Sequence, residues 1–143
     1  MRRVTRSPAV IALACVLGYG ASCAGLTMPS GDTRVASGVW GGEHLGVTVT
    51  SSGAQLEFDC AHGNIDQPLT VDEAGKLAIV GTFVREHGGP IRSDEKEDKR
   101  RTLYSGQLKG DTLTITVTLV ESNEQVGTFT VTRGAEPIVR KCL

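Results

Sequence analysis

"DTLTITVTL", residues 111–119, decides the fold. Leu113, Ile115, Val117 and Leu119 fall on one side of the chain, and Thr112, Thr114, Thr116 and Thr118 on the other. Apolar and polar positions that alternate with period two describe a β-strand with one buried and one wet face. The same pattern recurs outward from this stretch. "LGVTVT" (45–50) sets Leu45, Val47 and Val49 against Thr48 and Thr50. "AQLEFDC" (54–60) turns Ala54, Leu56, Phe58 and Cys60 inward and Gln55, Glu57 and Asp59 outward. "KLAIVGTFV" (76–84) offers Leu77, Ile79 and Phe83, and "VGTFTV" (126–131) offers Phe129 and Val131.

Turn chemistry separates these segments: Ser51-Ser52-Gly53, Asp72-Glu73-Ala74-Gly75, Lys109-Gly110-Asp111 and Ser122-Asn123-Glu124. With a segment around Trp40 and a short "PLTV" strand (68–71), the reading gives about eight strands in an antiparallel meander. Eight strands suffice for such a sheet to close on itself and lose its edges. The expected fold is all-β, a small barrel filling residues 37–143 as one domain, with a flattened sandwich as the alternative. One segment departs from the pattern. "EHGGPIRSDEKEDKRRT" (86–102) is nearly devoid of apolar residues. Its pairs Glu95–Lys99 and Glu97–Arg101 suit a helical turn, but no stripe is there to bury. It reads as a solvated surface loop, or alternatively as a lid over one barrel mouth.

The first 23 residues follow another logic. Arg2, Arg3 and Arg6 precede an apolar run from Ala9 to Leu17, and small residues follow. That is the order of a secretory signal peptide, and the run is too short to span a bilayer. Gly20-Ala21-Ser22-Cys23 resembles a bacterial lipoprotein signal, with Cys23 as the residue to be acylated, although Gly20 stands where leucine is usual. Ordinary cleavage after Ser22 or Ala24 fits the small residues as well. Residues 24–36 read as a flexible tether broken by Pro29 and Gly31. The formal net charge of the 143-residue chain is −1. Cleavage removes three arginines and no acidic residue, taking it to about −4. No basic patch with interleaved aromatics is present, so nucleic acid is not an expected partner.

Export also sorts the cysteines. Cys15 lies in the signal and Cys23 at its end, which leaves Cys60 and Cys142 as an even pair in an oxidising compartment. A bridge between them is the leading expectation, with two free thiols or a metal site as alternatives. It would close a loop of about 80 residues, worth on the order of 4 kcal/mol in the chain-entropy model.

Catalytic candidates are few. Three histidines, His44, His62 and His87, each stand near a turn, and His44 and His87 follow a glutamate. A hairpin about Ser52 would set His44 opposite Ala61, with His62 on the Leu56/Phe58 face and His87 at the far end of the barrel, too dispersed for a metal. Glu57 and Asp59, two apart on one outward face, are a candidate acid–base pair. No nucleophile elbow appears, and no cofactor is called for.

"GVWGGEH", "EFDCAHG", "REHGGP", "YSGQLKGDTLTITV" and "GTFTV" together resemble an uncharacterised family of small secreted bacterial β-barrel proteins and lipoproteins, over residues 38 to 142. The resemblance implies a shared fold and export, and no assigned activity. Gly38-x-Trp40 on a first strand is also similar to the opening of lipocalins and avidins. That likeness implies an arginine from the last strand packed over the tryptophan, for which Arg133 is the candidate. Trp40, Arg133, Phe58, His62 and Phe83 are thus the expected barrel-end packing or ligand-binding residues. The inward set is modest and aliphatic, so Trp40 is expected to plug the barrel more than to line a pocket.

The function that follows is a non-enzymatic binding module, exported to the bacterial envelope, lipid-anchored or secreted to the periplasm or beyond. Its partner would be a small apolar ligand or an envelope protein, with the membrane reached through the lipid anchor. The alternative is a small periplasmic hydrolase or metal-dependent enzyme using His62, Glu57 and Asp59. Mass spectrometry of protein from the envelope should find the mature chain starting at or within a few residues of Cys23. Cys23→Ser should release it from the membrane fraction, since anchoring needs the acyl chains. A cytoplasmic protein that retains Met1 would contradict both.

Overall fold

The computed structural model describes residues 31–142. The signal segment, Cys23 and the first part of the tether lie outside the described residues. Ten strands follow in chain order: β1 (Thr33–Arg34), β2 (Gly38–Gly41), β3 (Leu45–Val49), β4 (Ala54–Phe58), β5 (Ala61–Ile65), β6 (Thr70–Val71), β7 (Lys76–Arg85), β8 (Lys99–Lys109), β9 (Thr112–Leu119) and β10 (Gln125–Arg133). Eight of them close an antiparallel barrel in the order β10-β2-β3-β4-β5-β7-β8-β9, and β1 pairs with β6 in a separate two-stranded ribbon. All of the barrel's pairings are antiparallel. The expected barrel and its eight strands are therefore present.

Two barrel strands, β5 and β8, are not among the seven segments named from the alternation. "PLTV" supplies only β6, which lies in the ribbon, and the barrel's place is taken by β5, "AHGNI". A two-residue turn, Asp59-Cys60, connects β4 to β5, with Cys60 at φ +50°. Such a turn keeps Phe58 and Ala61 as cross-strand partners on one face, so the inward positions of β5 are Ala61, Gly63 and Ile65, all buried. Gly63 has no side chain because Tyr104 lies against it. Its ring is fully buried, and its hydroxyl donates 2.6 Å to the carbonyl of Thr82. A Cβ at Gly63 would collide with that hydroxyl, and one at Gly81 would stand 3.0 Å from the ring. Burial raises the phenol's pKa above its ordinary value, so it remains a donor.

The segment 86–102 is also divided. Residues 86–98 form the loop, while Lys99–Thr102 already belong to β8, with Arg100 opposite Phe83 and Arg101 opposite Thr82. The pairs Glu95–Lys99 and Glu97–Arg101 form no helical turn, because β7 offers Lys99 and Arg101 ladder partners that a lone polar turn cannot match. The tether is shorter than expected as well. Val35 is buried and its N–H bonds the carbonyl of Leu69 at 2.9 Å, so residues 33–36 belong to the fold.

Every residue expected inward from β3, β7 and β9 is buried, together with Leu56 and Phe58 of β4. Tyr104, Leu45, Leu56, Leu113, Val117 and Val131 have no accessible surface at all. A void large enough for water would expose its walls, so these side chains fill the interior rather than line a chamber. One end of the stack is covered by Val35, Leu69 and Val71; towards the other, Phe58 meets Phe83 and Phe129 edge-on at 5.3 and 5.2 Å. Outside, threonines ladder across β9 and β10, Thr116 to Thr128 at 2.9 Å and Thr114 to Thr130 at 3.4 Å.

Gly63→Ala should cost about 1–3 kcal/mol through overpacking against Tyr104. Tyr104→Phe alone should cost about 1 kcal/mol for its hydrogen bond. Because removing the hydroxyl relieves the closer of the new methyl's two clashes, leaving only the Thr82 carbonyl at 2.9 Å, the double variant should lose less than the two singles added. Urea denaturation of the four-member cycle measures that coupling.

Candidate functional site

The residues that the sequence singled out separate into three places. Trp40 is buried, at 1% of its surface, and its indole N–H donates 3.0 Å to the carbonyl of Ala36. Arg133 is its cross-strand partner on β10. The arginine does not stack on the ring. Its side chain is half exposed and makes a 3.9 Å ion pair with Asp111, across the Gly110-Asp111 turn. Ala36 has taken the indole's polar edge, and a strand-end arginine gains more from a carboxylate in water than from burial. Phe58 and Phe83 belong to the phenylalanine trio with Phe129. The third place is the outer wall of β4 and β5, where His62, Glu57, Asp59 and the Cys60–Cys142 disulfide gather.

The disulfide joins residues 82 apart in sequence, with their Cα atoms 4.9 Å apart. Cys60 reaches it from the Asp59-Cys60 turn and not from the barrel's inner face, where strict alternation had placed it. His62 likewise points outward, beside Glu57, its cross-strand partner. The turn shifts parity by one, which moves His62 off the Leu56/Phe58 face. His44 follows a tighter register than expected. Leu45 pairs with Phe58, so His44 meets Asp59 rather than Ala61, at Nδ1 to Oδ2 2.5 Å. His87 is at the same end and not the far one, because Ala61 pairs with Arg85. All three histidines therefore share one end, yet each is tied to a different carboxylate: His44 to Asp59, His62 to Glu86 at 2.7 Å, His87 to Glu95. Among the described residues, no three metal-ligating side chains come together closely enough to hold an ion.

The C-terminal segment, residues 135–142, gives the wall its form. It leaves β10 at Gly134, φ +75°, and runs along the outside. Gly41 and Gly46 are cross-strand partners with no side chains to obstruct it. A Cβ at Gly41 would collide with the Ala135 carbonyl, and one at Gly46 would stand 2.8 Å from Pro137. Ile138 then bonds as in a parallel bridge: its N–H donates to Gly42 and its carbonyl accepts from His44, both at 2.9 Å. The Arg140 N–H donates 2.6 Å to Asp59. The Lys141 ammonium lies 2.5 Å from Glu57 and 3.3 Å from both oxygens of Glu86, and donates 3.3 Å to the Ala61 carbonyl.

These contacts set the charges. The Arg140 N–H, then the His44 hydrogen bond, hold the Asp59 carboxyl below its ordinary value. Partial burial alone would raise Glu86, but the hydrogen bonds and charges of His62 and Lys141 outweigh it and hold the group low. Partial burial would lower Lys141 likewise, and Glu57 and Glu86 raise it. Glu57–Lys141–Glu86 is thus a charged chain pinning the tail to the wall, with His62 hydrogen-bonded at its end. Beside it, His62, Val84 and Glu86 line a cleft of about 170 Å³ whose opposite side is the loop, including His87, Ile91 and Glu95. The loop leans on the outer wall over Val84, which is buried there, instead of roofing a barrel mouth. No protein-family model, curated protein or solved structure matches the chain.

Glu86 and Lys141 were not singled out in the sequence. The signal for Lys141 was present: a bridge at Cys142 commits its neighbour to the surroundings of Cys60, where Glu57 is the outward carboxylate. A depressed carboxyl pKa contributes stability that is complete above the ordinary value of 4.5 and lost as pH falls through the lower folded value. Glu86→Gln should therefore be less stable than the parent near neutral pH, by about 1 kcal/mol or less at this solvent-screened site. The two should converge in acid, as thermal denaturation between neutral pH and pH 3 would record.

Proposed function

We propose that this chain is an exported, lipid-anchored β-barrel that binds a protein of the envelope through its outer surface. The observation that carries the reading is the filled interior. A carrier of an apolar ligand keeps part of its barrel empty and lines it with aromatics. Here Trp40 and Tyr104 are packed on all sides, which favours Trp40 as a plug. Recognition then falls to the outer wall and the loop 86–98. The Cys60–Cys142 disulfide supports an oxidising compartment, as does the signal-like segment ending at Cys23. Against the enzyme alternative, Asp59 is engaged by His44 and Arg140, and Glu57 by Lys141, while His62 faces Glu86. The three candidate groups do not converge on one opening with a free acid and a free base.

Native mass spectrometry of the protein isolated from its own host should show the chain, its lipid and its disulfide, with no small molecule retained. An apolar dye should leave Trp40 fluorescence unchanged, since the ring is buried within the packed core. Saturable quenching at micromolar dye, with dye binding weakened by Trp40→Ala, would make the protein a carrier and overturn the proposal.

A further inference from the structure

We infer that the outer wall between β2 and the Asp59-Cys60 turn is a groove for an extended basic peptide, occupied in cis by residues 135–142 and opened by reduction of Cys60–Cys142. This deepens the surface-binding reading above and rests on it. The groove has the parts that β-strand recognition uses. Its floor is the Gly41/Gly46 pair, bare of side chains, on which Pro137 sits. Its edge offers one backbone acceptor, Gly42, and one donor, His44, both engaged by Ile138. At its far end the carboxylates of Glu57, Asp59 and Glu86 receive Lys141 and the backbone of Arg140. The chain's own tail states the ligand's chemistry: extended, with proline over the glycine floor and a basic pair three residues further on.

The tail is separable from the barrel. Among the described residues, none beyond Val131 belongs to the hydrophobic core, and Ile138 is 61% exposed. The ionic anchors are half exposed and weak singly. The covalent bond is the one tie that does not open on its own, and it keeps the backbone bonds of Ile138 and Arg140 from fraying. A dithiol reductant opens it by exchange. One thiolate attacks the sulfur of Cys142, the more exposed of the two cysteines, and Cys60 leaves as a thiolate that takes a proton. The reductant's second thiol then resolves the mixed disulfide. Cys142 is released as a thiol, and the reductant ends as a disulfide. Losing Lys141 leaves Glu57 and Glu86 without their cation, so the vacated groove is acidic.

The test uses the full mature chain. On dithiol treatment, hydrogen exchange at residues 136–142 and at His44 should accelerate, while Trp40 emission stays that of a buried indole. Global unfolding on reduction, or unchanged protection of the tail, would overturn the inference. A labelled synthetic peptide of residues 135–141 is the probe. Freed in cis, the parent tail would still compete at high effective concentration, so the acceptor is Arg140→Glu/Lys141→Glu/Cys142→Ser, whose tail is repelled. Fluorescence anisotropy should show saturable binding to this acceptor, none to the oxidised parent, and a loss of about tenfold when Glu57→Gln and Glu86→Gln are added. No binding to a folded acceptor with a demonstrably mobile tail would refute the groove. The surface-binding proposal fails on a different readout, a retained ligand or quenching of Trp40.

Discussion

The narrowest joint of the barrel is where β10 meets β2, and the rest of the structure is arranged around closing it. Two register pairs join these strands, Thr132 with Gly41 and Arg133 with Trp40, against nine between β7 and β8. A sheet of eight strands gains full closure only if its first and last members pair, since an open edge leaves unpaired backbone groups. β2 is four residues long because Gly42 and Glu43 turn away to begin β3. The chain after β10 continues along the same side of β2, outside the closed barrel. Gly134 bonds Val39 at 2.7 Å, and Ile138 bonds both Gly42 and His44. The glycines at 41, 42 and 46 follow from this. At each, a side chain would strike β10 or the tail that continues it.

Filling the interior is the second constraint, and it bears on function. The chain has few aromatics, so each large ring is matched to a site of small residues. Tyr104 faces Gly63 and Gly81, and Trp40 is sealed by the backbone of Ala36. A pocket would require these pairings to be relaxed. A mutation enlarging Gly63 would thus strain the barrel before it could reshape a ligand site, and one that shrinks Tyr104 would open a cavity and remove a hydrogen bond to the Thr82 carbonyl. Selection on binding is freer to act outside, where the loop 86–98 and the wall of β4 and β5 carry charge without carrying the core.

The legible part of the fold was the part with strict alternation. Residues 111–119, 45–50 and 76–84 announced both their strands and their inner faces, because the alternating apolar set on each is buried, while the positions between are polar or, like Ala78 and Val80, exposed. β5 was not legible. Its inward residues are alanine, glycine and isoleucine, the glycine admitting a tyrosine from β8, and a small residue opposite a large one leaves no hydrophobic signature. "PLTV" carried the stronger local signal and yet forms only a two-residue ribbon strand, since Pro68 and the turn at 72–75 leave no length to pair. The start of β8 was hidden for the opposite reason: Lys99, Arg100 and Arg101 look like loop residues, and only their register against β7 makes them a strand.

The site was legible in its chemistry and not in its geometry, and one turn explains the difference. Glu57, Asp59, Cys60 and His62 alternate on paper, which assigns the two carboxylates to one face and the cysteine and histidine to the other. Putting Asp59 and Cys60 into a two-residue turn breaks that alternation. Glu57 and His62 become neighbours across the hairpin, Cys60 swings to the outside, and Asp59 becomes free to meet His44. Once the cysteine is outside, its partner must be outside too, so the tail cannot insert into the barrel and must cross the wall. The lysine beside Cys142 then arrives among Glu57 and Glu86. A single change of parity at Cys60 thus converts what would have been a buried cysteine and a core histidine into a charged outer surface with a strap across it.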